Sequence, residues 1–144
     1  MENLHKIFLK DIMVEKPYTI NIDEPFSRVW DIFRSLNVRH LPVVDDAGVL
    51  KGIVTQRDLY RIVSPRKTME GELVYDKMDL DKHILKYVMT KEVATLSPED
   101  TLRDTIDLMI NSRYGCIPVV DEKKHLVGII TQIDVLKASS EYFI

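Results

Sequence analysis

The sequence predicts a mixed α/β (α+β) fold made of two copies of one strand, helix, strand, strand, helix unit. Three observations predict it. Residue n matches residue n + 76 without a gap from residues 13–58 onto 89–134, with thirteen of the forty-six pairs identical, and self-similarity at one fixed offset is the signature of a duplication. Within each copy, short β-prone runs flank a segment of helical apolar spacing. The chain has 144 residues, 45% hydrophobic and 30% charged, which is the size and composition of one globular domain. A unit of about fifty residues buries its apolar faces poorly when alone, so the two copies are expected to pack on each other.

The elements follow in order. Residues 4–12 and 79–88 read as short lead-in helices, since Leu9-Lys10 recurs as Leu85-Lys86. Tyr18-Thr19-Ile20 and Val93-Ala94-Thr95-Leu96 are β-prone. Asn21 with Glu24, and Ser97 with Pro98 and Asp100, then offer a side-chain cap and first-turn acid for a helix start. The helices place Phe26, Val29, Trp30, Ile32, Phe33 and Leu36 in the first copy and Leu102, Ile106, Leu108, Met109 and Ile110 in the second at i, i+3, i+4 spacing. These stripes are wider than the roughly 100° that a one-sided surface helix needs, which implies contact with the sister copy or with a second chain. Residues 41–45 and 49–55 form two strands around Asp46-Ala47-Gly48, as do residues 117–121 and 126–130 around residues 122–125, and a last helix starts at Thr55 or Thr131. Residues 64–78, with Pro65, Gly71 and alternating charge, read as a linker. The first repeat is thus expected over 12–63, the linker over 64–78, and the second repeat with its lead-in helix over 79–139.

Charge and apolar patterning exclude several classes. The net charge is −3, without the long-range attraction for phosphate backbones that a dedicated nucleic-acid binder shows. No apolar run approaches the roughly 20 residues of a membrane helix, and the start, Met1-Glu2-Asn3-Leu4-His5-Lys6, carries an acid and lacks a signal-peptide core. The single cysteine, Cys116, allows no intrachain disulfide and fits a reducing compartment. A cytoplasmic protein is expected.

The most informative segment is Gly52-Ile53-Val54-Thr55-Gln56-Arg57-Asp58, repeated as Gly128-Ile129-Ile130-Thr131-Gln132-Ile133-Asp134 at the strand-to-helix junctions. One reading is structural: Thr at the N-cap with Asp three residues on is a capping-box arrangement worth about 1 kcal/mol. The other is chemical. A helix N-terminus presents unpaired amides to a phosphate, Thr55 or Thr131 adds a hydroxyl, and an ionised Asp one turn in accepts two hydrogen bonds from a ribose diol. Gly52 and Gly128 let either a ligand or a neighbouring strand approach the backbone closely. Read this way, the junction is a nucleoside-phosphate pocket.

Taken together, Thr-apolar near the start of each unit, apolar-Pro-Val-Val-Asp in the middle (Pro42–Asp45, Pro118–Asp121) and Gly-x-x-Thr-x-x-Asp at the end resemble a tandem pair of cystathionine-β-synthase-type (CBS) domains, the Bateman module. The resemblance runs from about Ile12 to Lys137. It implies β-α-β-β-α units packed sheet to sheet with pseudo-two-fold symmetry, and two clefts that take AMP, ADP, ATP or S-adenosylmethionine. It also implies a sensing role, a homodimer, and an effector protein that reads the bound state.

Site positions carry over residue by residue. Asp58 and Asp134 match the ribose-binding acid, Thr55 and Thr131 the phosphate-contacting hydroxyl, and Thr19-Ile20 and Thr95-Leu96 the segment that holds adenine. Leu41-Pro42 and Ile117-Pro118 match the strand lining the pocket, with Cys116 at its edge. Arg39 and His40 fall where nucleotide-binding members place basic phosphate ligands, and Arg57 precedes the acid. The second copy departs from this pattern, because Gly115, Cys116 and Ile133 stand where Arg39, His40 and Arg57 stand in the first. Each missing charge-assisted contact to a phosphate is worth about 1.5–3 kcal/mol. The second cleft therefore either takes a less charged ligand or borrows Arg39 and His40, and borrowing is the reading favoured by the short distance between clefts in such pairs.

The remaining conspicuous residues read as structural. Cys116 sits in a β-run and is expected to act as a small buried apolar side chain rather than a reactive thiol. His5, His83 and His125 lack zinc-site spacing, so no metal is expected. Met69, Met78 and Met89 read as gap-fillers. Arg61, Arg66 and Lys67 form a short basic cluster, read as a solvated face ahead of one that meets RNA or phosphates from a neighbouring cleft. No second carboxylate, nucleophile–base pair or Walker loop occupies matched positions, so a regulatory adenosine-nucleotide-binding module without catalysis is expected ahead of a nucleotide-processing enzyme. A ligand-free dimerisation scaffold is the third reading.

Overall fold

The computed structural model describes residues 5–62 and 65–143; expectations that touch Leu4, Val63 and Ser64 lie outside the described residues. A 3-10 turn at Leu9–Asp11 precedes β1 (Val14–Glu15). The first copy supplies β2 (Ile20–Asn21), α1 (Ser27–Leu36), β3 (His40–Val44), β4 (Leu50–Thr55) and α2 (Gln56–Ile62). The stretch between the copies is more ordered than a linker, holding β5 (Arg66–Lys67) paired antiparallel with β6 (Leu73–Val74). Two short helices follow, α3 (Lys77–Asp81) and α4 (Leu85–Val88), in place of the single helix expected over 79–88. The second copy supplies α5 (Leu102–Ser112), β7 (Cys116–Val120), β8 (Leu126–Thr131) and α6 (Gln132–Phe143). The mixed α/β class read from the sequence is the class observed.

These elements form two compact units, and each combines the body of one copy with the lead-in of the other. One unit is Tyr18–Ala47 with Lys51–Glu92; the other takes the described residues up to Pro17, Gly48–Leu50 and Val93 onward. In the first of these, β2 pairs in parallel with β3, Ile20 opposite Val43, and β4 lies on β3's other side. Its core joins Phe26, Val29, Ile32 and Phe33 of the α1 region, Leu41, Val43 and Val54 of the sheet, and Tyr75, Leu80, Leu85 and Met89 from the segment after α2. In the other unit the sheet order is β1-β8-β7, with Val14 opposite Ile129 and Cys116 opposite Thr131, and Leu96 bridges in parallel to Val119. Its apolar clusters contain Leu9, Met109, Ile117, Val119 and Ile130, and beside them Ile7, Leu102 and Ala138.

The matched glycines show what the lead-ins require. A Cβ on Gly52 would lie 2.6 Å from the Thr90 carbonyl oxygen, and one on Gly128 would lie 2.5 Å from the Met13 sulfur and 3.0 Å from the Val14 oxygen. Ile53 and Thr90 exchange backbone hydrogen bonds of 3.0 and 2.9 Å. Of the two roles left open for these glycines, close approach of a neighbouring segment is the one observed.

Both helix starts differ from expectation. Neither Asn21 nor Ser97 caps a helix: the Asn21 carboxamide oxygen accepts the Asp23 amide in a local turn, and Ser97's amide donates to Asp100 Oδ2 at 2.7 Å in another. α1 begins at Ser27, whose amide donates to Asp81 Oδ1 of α3 at 2.8 Å, and it ends at Asn37 in the left-handed region. α5 begins one residue after Thr101, where Thr101 and Asp104 complete a capping box. The wide stripes leave Leu36 and Ile110 exposed. No helix among the described residues is long and apolar enough to cross a membrane.

Candidate functional site

In both units the end of the second hairpin strand turns directly into a helix, and the Thr and Asp of the repeated motif meet at that corner. At the first junction, Asp58 Oδ2 accepts the Thr55 amide at 2.9 Å and the Thr55 hydroxyl at 3.2 Å, while the Asp58 amide donates to Thr55 Oγ1 at 3.3 Å. At the second, Asp134 Oδ2 accepts the Thr131 amide at 2.8 Å and hydroxyl at 3.0 Å, and its own amide donates to Thr131 Oγ1 at 3.3 Å. The capping function is therefore present twice. It occupies only Oδ2 of each carboxylate, so capping and ligand binding are compatible uses of one side chain.

The sheets bring the other candidates to the same corners. Gln56's amide donates to the Arg39 carbonyl at 3.2 Å, and Gln132's to the Gly115 carbonyl at 3.1 Å, which fastens the start of β3 or β7 to the start of α2 or α6. Parallel pairing of β2 with β3, and of Leu96 with Val119, sets Thr19-Ile20 and Thr95-Leu96 alongside the Pro42 and Pro118 strands. The side chains of Ile20, Leu41 and Ile117 are wholly inside the apolar clusters. At those three positions a ligand would meet backbone rather than side chain.

Charge is distributed unequally. Arg39 and Arg57 are exposed, and neither side chain makes an ion pair among the described residues. His40 is half-buried, and burial, then the adjacent Arg39 guanidinium, hold its imidazole below the ordinary value of 6.5. The residue opposite Thr131 in the second unit is Cys116, buried, its thiol pushed up to about 12 by burial and then by Asp134. Such a thiol is neutral at physiological pH and unreactive. Among the described residues no group of three or more His, Cys, Asp or Glu could hold a metal ion.

Sequence reasoning missed the role of Arg61. Arg61, Arg66 and Lys67 are exposed, as expected of a solvated face, but two of them are also paired: Arg61 Nη2 donates to Asp58 Oδ1 at 3.2 Å, and Arg66 pairs with Asp76. The i, i+3 spacing of Asp58 and Arg61 on one helix was the available signal.

The family model for the CBS domain matches residues 9–65 and 84–141. A CBS domain-containing protein of Dictyostelium discoideum is 31% identical over 132 residues, covering 91% of this chain and 90% of that protein. A CBS domain pair crystallised with 5′-methylthioadenosine and S-adenosyl-L-methionine superimposes with a TM-score of 0.74 at 25% identity, over 93% of this chain and 96% of that one. The fold is also that of CBSX2 in complex with AMP, with a TM-score of 0.77 at 21% identity, over 94% and 97% of the two chains.

Proposed function

Since the chain belongs to the CBS domain family, we propose that it is a regulatory module that binds an adenosine compound at its two strand-to-helix junctions. The observation that carries the reading is the repeated Thr–Asp corner, which presents a carboxylate with Oδ2 engaged by the chain and acceptor capacity left on Oδ1. The structural neighbours with bound AMP, methylthioadenosine and S-adenosylmethionine support an adenosine-type ligand. In this reading Asp58 and Asp134 hold the ribose diol, Thr55 and Thr131 face the phosphate or its equivalent, and Thr19-Ile20 and Thr95-Leu96 hold the base through their backbones. Arg39, His40 and Arg57 make the first junction the more anion-receptive.

The proposal assigns the protein no catalytic step. Its output is a change in packing on ligand binding that an effector protein reads in the cytoplasm, because a ligand shifts any equilibrium in which it binds one state better. A homodimer is part of the proposal, supported by Ile110 on α5 and Ile133 and Leu136 on α6, large apolar side chains left exposed. Thermal melting tests the core claim. At 100 times its dissociation constant AMP, ADP, ATP or S-adenosylmethionine adds about 2.7 kcal/mol, a rise of several degrees. The Asp58→Asn, Asp134→Asn double variant removes that rise. Failure of all four compounds to raise the melting temperature of the unaltered protein favours a ligand-free scaffold instead.

A further inference from the structure

The two aspartates differ in a way that the repeat does not foretell. An ionised carboxylate offers about four acceptor places on its two oxygens. At Asp134 two are taken, by the Thr131 amide and hydroxyl, both on Oδ2. At Asp58 three are taken, because Arg61 Nη2 sits on Oδ1 at 3.2 Å in addition to the Thr55 amide and hydroxyl on Oδ2. Lys137, which stands where Arg61 stands one repeat earlier, is exposed and makes no ion pair among the described residues. A ribose diol brings two O–H donors. Asp134 can accept both with nothing displaced, whereas Asp58 has one place fewer than the diol needs while Arg61 stays.

Arg61 can leave. Its side chain is 65% exposed while that of Asp58 is only 10% exposed, so the guanidinium swings on a solvated stem away from a fixed acid. Departure with nothing in return strands a buried carboxylate without its cation, which is unfavourable. A phosphate on the same ligand changes the balance, because the guanidinium can take two of its oxygens in a fork and remain near Asp58. On the premise that both junctions bind adenosine compounds, we propose that Arg61 is a specificity-determining residue: it yields Asp58 to the ribose when a phosphate is there to receive it. The first junction then selects phosphorylated adenosine, and the second accepts the uncharged nucleoside.

The experiment is a two-dimensional NMR titration of the full chain with AMP and, separately, with adenosine. The amides of Thr55 and Thr131 donate to the two carboxylates, so their signals report the two junctions separately without disabling either. In the unaltered protein AMP is expected to move Thr55 at lower concentration than adenosine does. Arg61→Gln should tighten adenosine and weaken AMP at Thr55, each by about tenfold, the scale of one charge-assisted contact. The opposite signs matter, since a merely structural loss weakens both ligands together. Lys137→Gln should change either ligand at Thr131 by less than about twofold. Parallel weakening of both ligands by Arg61→Gln, or no change in either, overturns the role of Arg61 while leaving the binding function intact. If neither compound moves Thr55 or Thr131 in the unaltered protein, the binding function itself fails, and this inference with it.

Discussion

Gly52 and Gly128 occupy matched places in β4 and β8, yet the space around them makes different demands. A methyl on Gly52 would press on the Thr90 carbonyl oxygen at 2.6 Å and on the Met89 sulfur at 2.8 Å, and Thr90 is tied to Ile53 by two backbone hydrogen bonds. A methyl on Gly128 would press hardest on the Met13 sulfur, on a side chain that can rotate, with the Val14 oxygen at a less severe 3.0 Å. Gly52→Ala should therefore cost about 3 kcal/mol and Gly128→Ala about 1 kcal/mol, read as midpoint shifts in urea at constant slope. Equal costs would show that backbone crowding is not what distinguishes the two sites. His40 gives a pH signature. Burial, reinforced by Arg39, lowers its folded pKa below 6.5, so as pH falls through 6.5 the unfolded chain takes up a proton that the folded chain refuses. The folded state must lose stability in that window, and the loss must be absent above it. Urea midpoints at pH 7.5 and 5.5 should converge more for His40→Gln than for the unaltered chain.

Helices α1 and α5 derive from the same repeat but are started by different means. α5 is capped locally, with Asp104's amide donating to Thr101 Oγ1 at 3.2 Å and Thr101's amide donating to Asp104 Oδ2 at 2.9 Å. α1 has Phe26 at its N-cap with no side-chain cap, and its first amide instead reaches Asp81, fifty-four residues away. Thr101→Ala should lower stability by about 1 kcal/mol, the usual worth of such a cap. Circular-dichroism melting checks the figure, and a loss below about 0.3 kcal/mol would contradict it. The contrast also explains what could be read at this scale. Ser97 and Asp100, or Asn21 and Glu24, satisfy a capping pattern in sequence, but an isolated turn satisfies it equally well, as the Ser97 amide on Asp100 shows. Thr55–Asp58 and Thr131–Asp134 were legible because their bonds close within one turn and occur twice. Arg61 was not, because a long side chain three residues from an acid chooses its partner by rotamer and exposure, which spacing alone does not fix.

For the whole chain, the offset of 76 residues establishes a duplication and is silent about which body each lead-in joins. Met13-Val14 and Met89-Thr90 are matched positions, so own-copy and exchanged packing give the same hydrophobic pattern, and only the structure separates them. Exchanged packing has a consequence for fragments. The sequence boundaries would isolate the first repeat as residues 12–63, a piece that omits Tyr75, Leu80, Leu85 and Met89, all buried in that unit's core. The fully buried Leu80 and Leu85 alone contribute roughly 2 kcal/mol each, and the four together approach the 5–15 kcal/mol that a whole domain has to spare. Residues 18–92, by contrast, carry every member of that core. The 18–92 fragment should give dispersed amide NMR signals and a cooperative thermal transition, while the 12–63 fragment should give neither. A cooperative 12–63 fragment would mean that the first copy closes its core without residues 75–89, whose contribution would then have to be small.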